Sequence, residues 1–146
     1  MKLIQTNIQM LVYLAGLAQI ALALGSLVVP GALKWRAELM KVQPMIKQLF
    51  WVYASYIFVV NNCFGLISFF APADLTNGTT LATALTGFIA AYWISRVLIQ
   101  FFYFDRTNFP KGTRYRIGEF ILVTLFFLLS GVYCVAFYIN FMYIQA

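Results

Sequence analysis

The sequence predicts an all-α integral membrane protein, a bundle of four transmembrane helices with both termini extracytoplasmic. Three observations carry that prediction. Four apolar stretches, Ile8–Val29, Gln48–Phe70, Thr80–Phe104 and Gly118–Tyr143, take up most of the 146 residues. Each reaches the roughly 20 residues a helix needs to cross a hydrocarbon core about 30 Å thick. A helix also satisfies its own backbone hydrogen bonds in lipid. Hydrophobic residues make up 63% of the chain and charged residues 10%, against about 25% charged in soluble domains, so no soluble domain is expected. Lastly, the short basic loops all fall on one side of the stretches.

The first stretch has a weak resemblance to a signal peptide, with Lys2 ahead of it and Ala21-Leu22-Ala23 inside it. Its apolar run, from Met10 to Val29, exceeds the roughly 7–15 residues of a signal core, so it is expected to stay as a membrane helix. Pro30-Gly31 should end it, because proline cannot continue the ladder and glycine permits the turn. Lys34–Lys47 reads as an interfacial amphipathic segment. Trp35, Leu39, Met40 and Met45 would lie on the acyl boundary, with Lys34, Arg36, Lys41 and Lys47 among headgroups. Pro44 breaks it before the second span. Ala71-Pro72-Ala73-Asp74 closes that span, Thr79 or Thr80 can cap the third, and Phe109-Pro110-Lys111-Gly112 makes the last turn.

Orientation follows from the basic residues. The first connection carries Lys34, Arg36, Lys41 and Lys47, and the third carries Arg106, Lys111, Arg114 and Arg116. The opposite side has Lys2 alone, since the second connection holds no basic residue. This bias places connections one and three in the cytoplasm. The expected location is a multi-pass membrane protein, in the inner or plasma membrane if bacterial. Asn77-Gly78-Thr79 on the other side is formally a glycosylation triplet.

A net charge of +6 reads here as topology and attraction to anionic headgroups, not as nucleic-acid binding. Histidine is absent, which removes the commonest metal ligand and the usual general base. Cys63 and Cys134 lie in different spans without a CxxC pair and read as small buried apolar residues. No catalytic residue, metal site or cofactor is expected.

Several polar residues inside the spans call for a reason. Thr83, Gly87, Ala91 and Ser95 recur every four residues, a spacing of small side chains that lets a neighbouring helix approach closely where lipid gives no hydrophobic drive. Tyr92, Arg96, Gln100 and Tyr103 share another face. Arg96 lies about 12 Å from the cytoplasmic end of its span, and a charge there costs a few kcal/mol unless it snorkels or is paired. It is either clamped structurally, to Glu119 or Asp105, or it holds an anion or lipid headgroup with Gln100, Tyr103, Arg114, Arg116 and Glu119. Asn61 and Asn62 sit deeper. At least one should bond across to another helix, with Gln19, Thr86 or Ser130 as candidates, or to another subunit. Trp51, Tyr53, Trp93, Phe102, Tyr103 and Tyr143 read as interfacial belts. Tyr133, Tyr138, Asn140 and Tyr143 give the last span a polar outer end suited to docking.

Arg96 and Tyr103, then a basic loop with Gly112, then Arg114-Tyr115-Arg116 resemble one corner of the MAPEG superfamily. That resemblance implies a four-helix protein that assembles as a trimer, binds glutathione and acts on lipophilic substrates. It covers the third span and the start of the fourth. Where the family carries an Arg, Asn and Glu cluster, this chain reads Met45-Ile46-Lys47-Gln48-Leu49-Phe50-Trp51, and Gln100 replaces the usual histidine.

Taken from the residues, the leading expectation is a non-catalytic accessory or structural subunit of a membrane complex that binds lipid. Its partners would be membrane lipids and other membrane-protein subunits, or copies of itself. A MAPEG-like transferase or isomerase and a lipid-headgroup-binding scaffold are the alternatives.

Overall fold

The computed structural model describes residues 2–103 and 112–145. Phe104, Asp105, Arg106, Pro110 and Lys111 lie outside the described residues, as do the side chains of Lys2 and Arg114. The described chain forms α1 (Lys2–Ser26), α2 (Val29–Ala32), α3 (Trp35–Leu39), α4 (Pro44–Phe70), a 3-10 turn (Asp74–Thr76), α5 (Thr80–Phe102) and α6 (Thr113–Gln145). Four stretches are long and apolar enough to cross a membrane: Ile4–Ala32, Pro44–Phe70, Thr80–Phe102 and Tyr115–Gln145.

Local chemistry explains the boundaries. Pro44 opens α4 within its first turn, where its missing N–H is not needed. Pro30, expected to end the first helix, instead sits in the first turn of the short α2 for the same reason. α1 has already closed at Ser26. Lys34 then takes a left-handed conformation, φ 51°, and reverses the chain into α3. The expected amphipathic segment is therefore one short helix, followed by an extended Gln43. Trp35 packs edgewise on Phe50, centroids 4.8 Å apart, which ties α3 to the base of α4. Thr79 caps α5 by accepting from the Ala82 N–H at 3.2 Å.

The helices assemble as two hairpins. α1 packs closely on α4, α5 packs closely on α6, and α1 also lies against α6. The α1–α4 crossing turns on two glycines. A Cβ placed on Gly16 would sit 2.7 Å from the Phe69 backbone nitrogen and 2.9 Å from the Gly65 oxygen. Backbone thus meets backbone there, which no larger residue permits. The core cluster, Ala15, Phe64, Ile89, Ala90, Trp93, Phe126, Leu129 and Tyr133, is drawn from all four long helices. A smaller cluster of Ile8, Val12, Leu75 and Ala136 closes the end that carries the 3-10 turn.

Burial stops part-way along the bundle. The last buried residues toward the basic end are Ala23, Asn61, Trp93 and Phe126, one on each long helix. Beyond them no described residue of α4, α5 or α6 is buried.

Candidate functional site

The bundle interior holds two polar layers. In the outer one, Asn140 of α6 donates from Nδ2 to the Leu75 carbonyl at 2.8 Å and to Thr86 Oγ1 at 3.3 Å. Its Oδ1 accepts from the Gly78 N–H at 3.0 Å. Gln5 of α1 donates to the Thr76 carbonyl at 3.4 Å. One buried amide thereby straps the turn between the hairpins onto α5 and α6. Gly78 takes φ 73° against the Tyr143 side chain, and Asn77 Oδ1 accepts from the Thr79 hydroxyl at 2.7 Å. The triplet Asn77-Gly78-Thr79 thus has a structural use as a turn and cap.

The second layer lies seven residues further along α5 and α6, about 10 Å at helical rise. Trp93 Nε1 donates to Gln19 Oε1 at 3.1 Å. Gln19 Nε2 donates to the Tyr133 hydroxyl and, at 3.3 Å, to the Ala15 carbonyl. Ser68 Oγ shares a hydrogen bond with the Tyr133 hydroxyl at 2.6 Å. All four helices contribute, so the network fixes their mutual register. In an apolar interior an unmade partner would cost about 1–3 kcal/mol.

These layers correct several expectations. Trp93 is fully buried rather than interfacial, because Gln19 gives its N–H a partner. Tyr133 and Asn140 point inward rather than forming a docking end, while Tyr138 is exposed. Cys63 and Cys134 are exposed, on outer surfaces where lipid would accommodate a thiol as well as a core does. Gln19, Ser68 and the glycine pair carry more of the architecture than the sequence suggested. The signal was present in the spacing, since Asn61 and Ser68, Thr86 and Trp93, and Tyr133 and Asn140 are each seven residues apart.

The same spacing organises the open, basic end. Seven residues link buried Ile89 to Arg96, buried Trp93 to Gln100, and Glu119 to buried Phe126. A step of seven keeps a side chain on nearly the same face. The core stripe therefore continues past the last buried layer as a polar stripe. Arg96 is half-buried. Its Nη2 donates to the Tyr92 hydroxyl at 3.2 Å, and the guanidinium lies 5.5 Å from that ring's centroid. Gln100 Nε2 reaches Glu119 Oε1 at 3.5 Å, while Arg96 turns to Tyr92. Tyr103, 82% exposed, and Arg116 stand further out. Arg114 belongs to the first turn of α6, its side chain outside the described residues.

Of the small-residue stripe, Thr83 is buried and Gly87 lies under the Phe137 ring of α6. Ala91 and Ser95 are exposed. Asn62 bonds to its own helix, Nδ2 to the Phe58 carbonyl at 2.9 Å. Asn61 faces inward, 7% exposed, and its buried Oδ1 has no hydrogen-bond partner among the described residues. Among the described residues no group of three His, Cys, Asp or Glu could hold a metal ion.

The fold and this end of the bundle define a class, a four-helix protein with helices long and apolar enough for a membrane and a partly exposed polar stripe at one end. No protein-family model, curated protein or solved structure matches the chain.

Proposed function

We propose that this is a multi-pass membrane protein with its basic end in the cytoplasm, acting as a non-catalytic accessory or structural subunit that binds an anionic lipid headgroup. The observation that carries the proposal is the break in the core stripe. Beyond Asn61 and Trp93 the bundle presents Arg96 and Gln100 where an apolar core would continue. Arg96 leans on a neutral phenol, not on a carboxylate, so its charge is available to a phosphate, for which guanidinium geometry is well matched. Arg116 and the lysines of the first connection surround that end with further positive charge, which concentrates anionic lipid. The exposed Ala91 and Ser95 offer a flank for a neighbouring span.

Purification in mild detergent, with identification of co-purifying lipids and proteins, tests both halves. Anionic lipid enriched over phosphatidylcholine, and lost in Arg96→Gln, supports the headgroup site. Retention that ignores Arg96 overturns it. An Arg96 guanidinium turned away from carboxylates also suits the MAPEG-like reading, in which Arg96 and Tyr103 would grip glutathione. Retention on immobilised glutathione, abolished by Arg96→Gln, would favour that reading.

A further inference from the structure

The buried, unpartnered Asn61 oxygen and the flank beside it point to a more specific ligand. Ser68 reaches the Tyr133 hydroxyl in the centre of the bundle. Asn61 is seven residues earlier on α4, so it faces the same interior from the last sealed layer. Arg96, seven residues after buried Ile89, faces it from α5. Asn61 lies one turn to the basic side of Phe64, and Arg96 one turn to the basic side of Tyr92. The Phe64 and Tyr92 rings touch, with centroids 5.3 Å apart. The two polar groups therefore flank the inner edge of a single aromatic contact.

That contact also joins α4 to α5. These helices meet chiefly through Phe64 against Tyr92 and Phe88. One heptad toward the basic end, the same two faces carry Ile57 and Ile99, which are 41% and 40% exposed. A closed seam would cover both. The flank between α4 and α5 thus presents two partly exposed apolar side chains, with the half-buried Arg96 and the buried Asn61 acceptor on the interior faces of the same helices. An amide oxygen left without a donor in an apolar interior is costly, and here the missing partner is a donor.

We propose that this flank between α4 and α5 seats one membrane lipid, an anionic phospholipid whose head also carries a hydroxyl group. The phosphate lies against Arg96, an acyl chain passes between Ile57 and Ile99, and the head hydroxyl donates to Asn61 Oδ1. This rests on the reading that Arg96 holds the anion and adds the selection among anionic heads. Asn61 rejects a head without a donor because its oxygen then stays unpaired, whereas Arg96 attracts every anionic lipid.

The test uses the full chain, purified in mild detergent, with three probes: phosphatidylglycerol, phosphatidylmethanol and free glycerol phosphate. The first two share the phosphodiester charge and differ in the head hydroxyls. The third has the head without chains. The expected result is about tenfold stronger retention of phosphatidylglycerol than phosphatidylmethanol, the scale of one hydrogen bond to a buried acceptor. Asn61→Leu should bring the two lipids together without lowering thermal stability, since it removes an unsatisfied polar atom. Arg96→Gln should weaken both. Equal retention of the two lipids by the wild-type protein overturns the role of Asn61 while leaving the headgroup site standing. Retention of neither above phosphatidylcholine overturns both. Competition by free glycerol phosphate as strong as that by the intact lipid overturns the seat on the flank between α4 and α5.

Discussion

Replacing Gly16 with alanine adds a single methyl group, and the structure assigns it a large effect. In an open helical position this change is favourable by roughly 0.8–1.0 kcal/mol, because glycine is the poorer helix former. At Gly16 the new Cβ would stand 2.7 Å from the Phe69 nitrogen and 3.0 Å from the Ser68 carbonyl carbon. These are backbone atoms and cannot swing aside, so α1 and α4 must separate by several tenths of an ångström. Overpacking of that kind costs about 1–3 kcal/mol. Ser68 also lies in the adjoining polar layer, so its bond to Tyr133 is strained by the same shift. Gly65→Ala should cost less, since its nearest neighbour is the Ile20 Cγ1 at 2.8 Å and the backbone atoms of Gly16 and Ile20 stand back at 3.2 Å. Gly131→Ala, with nothing within 4 Å, should be neutral or stabilising. The expected order of stability is Gly131→Ala, then Gly65→Ala, then Gly16→Ala, spread over roughly 2–4 kcal/mol when the propensity gain and the clash are combined. Equilibrium unfolding in mixed micelles by an SDS titration, followed by tryptophan fluorescence, measures it. If Gly16→Ala were tolerated as well as Gly131→Ala, the close crossing of α1 and α4 would be refuted.

Three other outcomes are expected. Tyr133→Phe strands Ser68 and one Gln19 donor and should cost about 1–3 kcal/mol, and adding Ser68→Ala should cost less than the sum of the two single changes. Additive losses would remove Ser68 from the network. Gly87→Leu should destabilise the isolated chain by driving into Phe137, whereas Ala91→Leu should leave its unfolding midpoint unchanged and lower recovery of co-purifying membrane proteins. A midpoint that falls equally in both variants would argue against an external flank at Ala91. With Cys63 and Cys134 replaced by alanine, an impermeant maleimide applied to intact cells should modify Ala73→Cys and spare Ala37→Cys, and the reverse labelling would invert the orientation.

The four spans were legible because hydropathy over 20 residues is a strong signal, and a threonine cap at 79 or 80 follows from hydroxyls ahead of an apolar run, the structure selecting Thr79. Helix pairing was less legible. The Thr83-Gly87-Ala91-Ser95 stripe was more conspicuous in the sequence than Gly16 and Gly65, which lie far apart in the chain and become a pair only once α1 and α4 are set in register. Trp93 was misplaced because its type suggests an interface, and a single buried amide, Gln19, reverses that. For at least one of Asn61 and Asn62 the sequence called for a partner on another helix or another subunit; the structure bonds Asn62 within its own helix and, among the described residues, leaves the Asn61 oxygen without a partner. At the basic end the sequence brought Arg96, Gln100 and Glu119 to one region. It did not give the turn of Arg96 toward Tyr92, which depends on rotamers and on the distance between α5 and α6.

Among the described residues, the hydrogen bonds that tie one hairpin to the other or to the turn between them include Gln5 to Thr76, Trp93 to Gln19, Gln19 to Tyr133, and Ser68 to Tyr133, all in the half of the bundle away from the basic end. The described polar contacts of the other half, such as Lys41 to Glu38 and Gln100 to Glu119, stay within one hairpin. The molecule therefore has the mechanics of a clothes-peg. Its spring is the tyrosine-centred layer, its pivot is the strapped turn at Asn140, and its jaws open onto the basic end. In a bilayer, spreading the jaws would expose apolar surface to lipid at little penalty and would break none of those inter-hairpin bonds. Widening that end is thus a soft motion, while shearing one hairpin along the other is a stiff one.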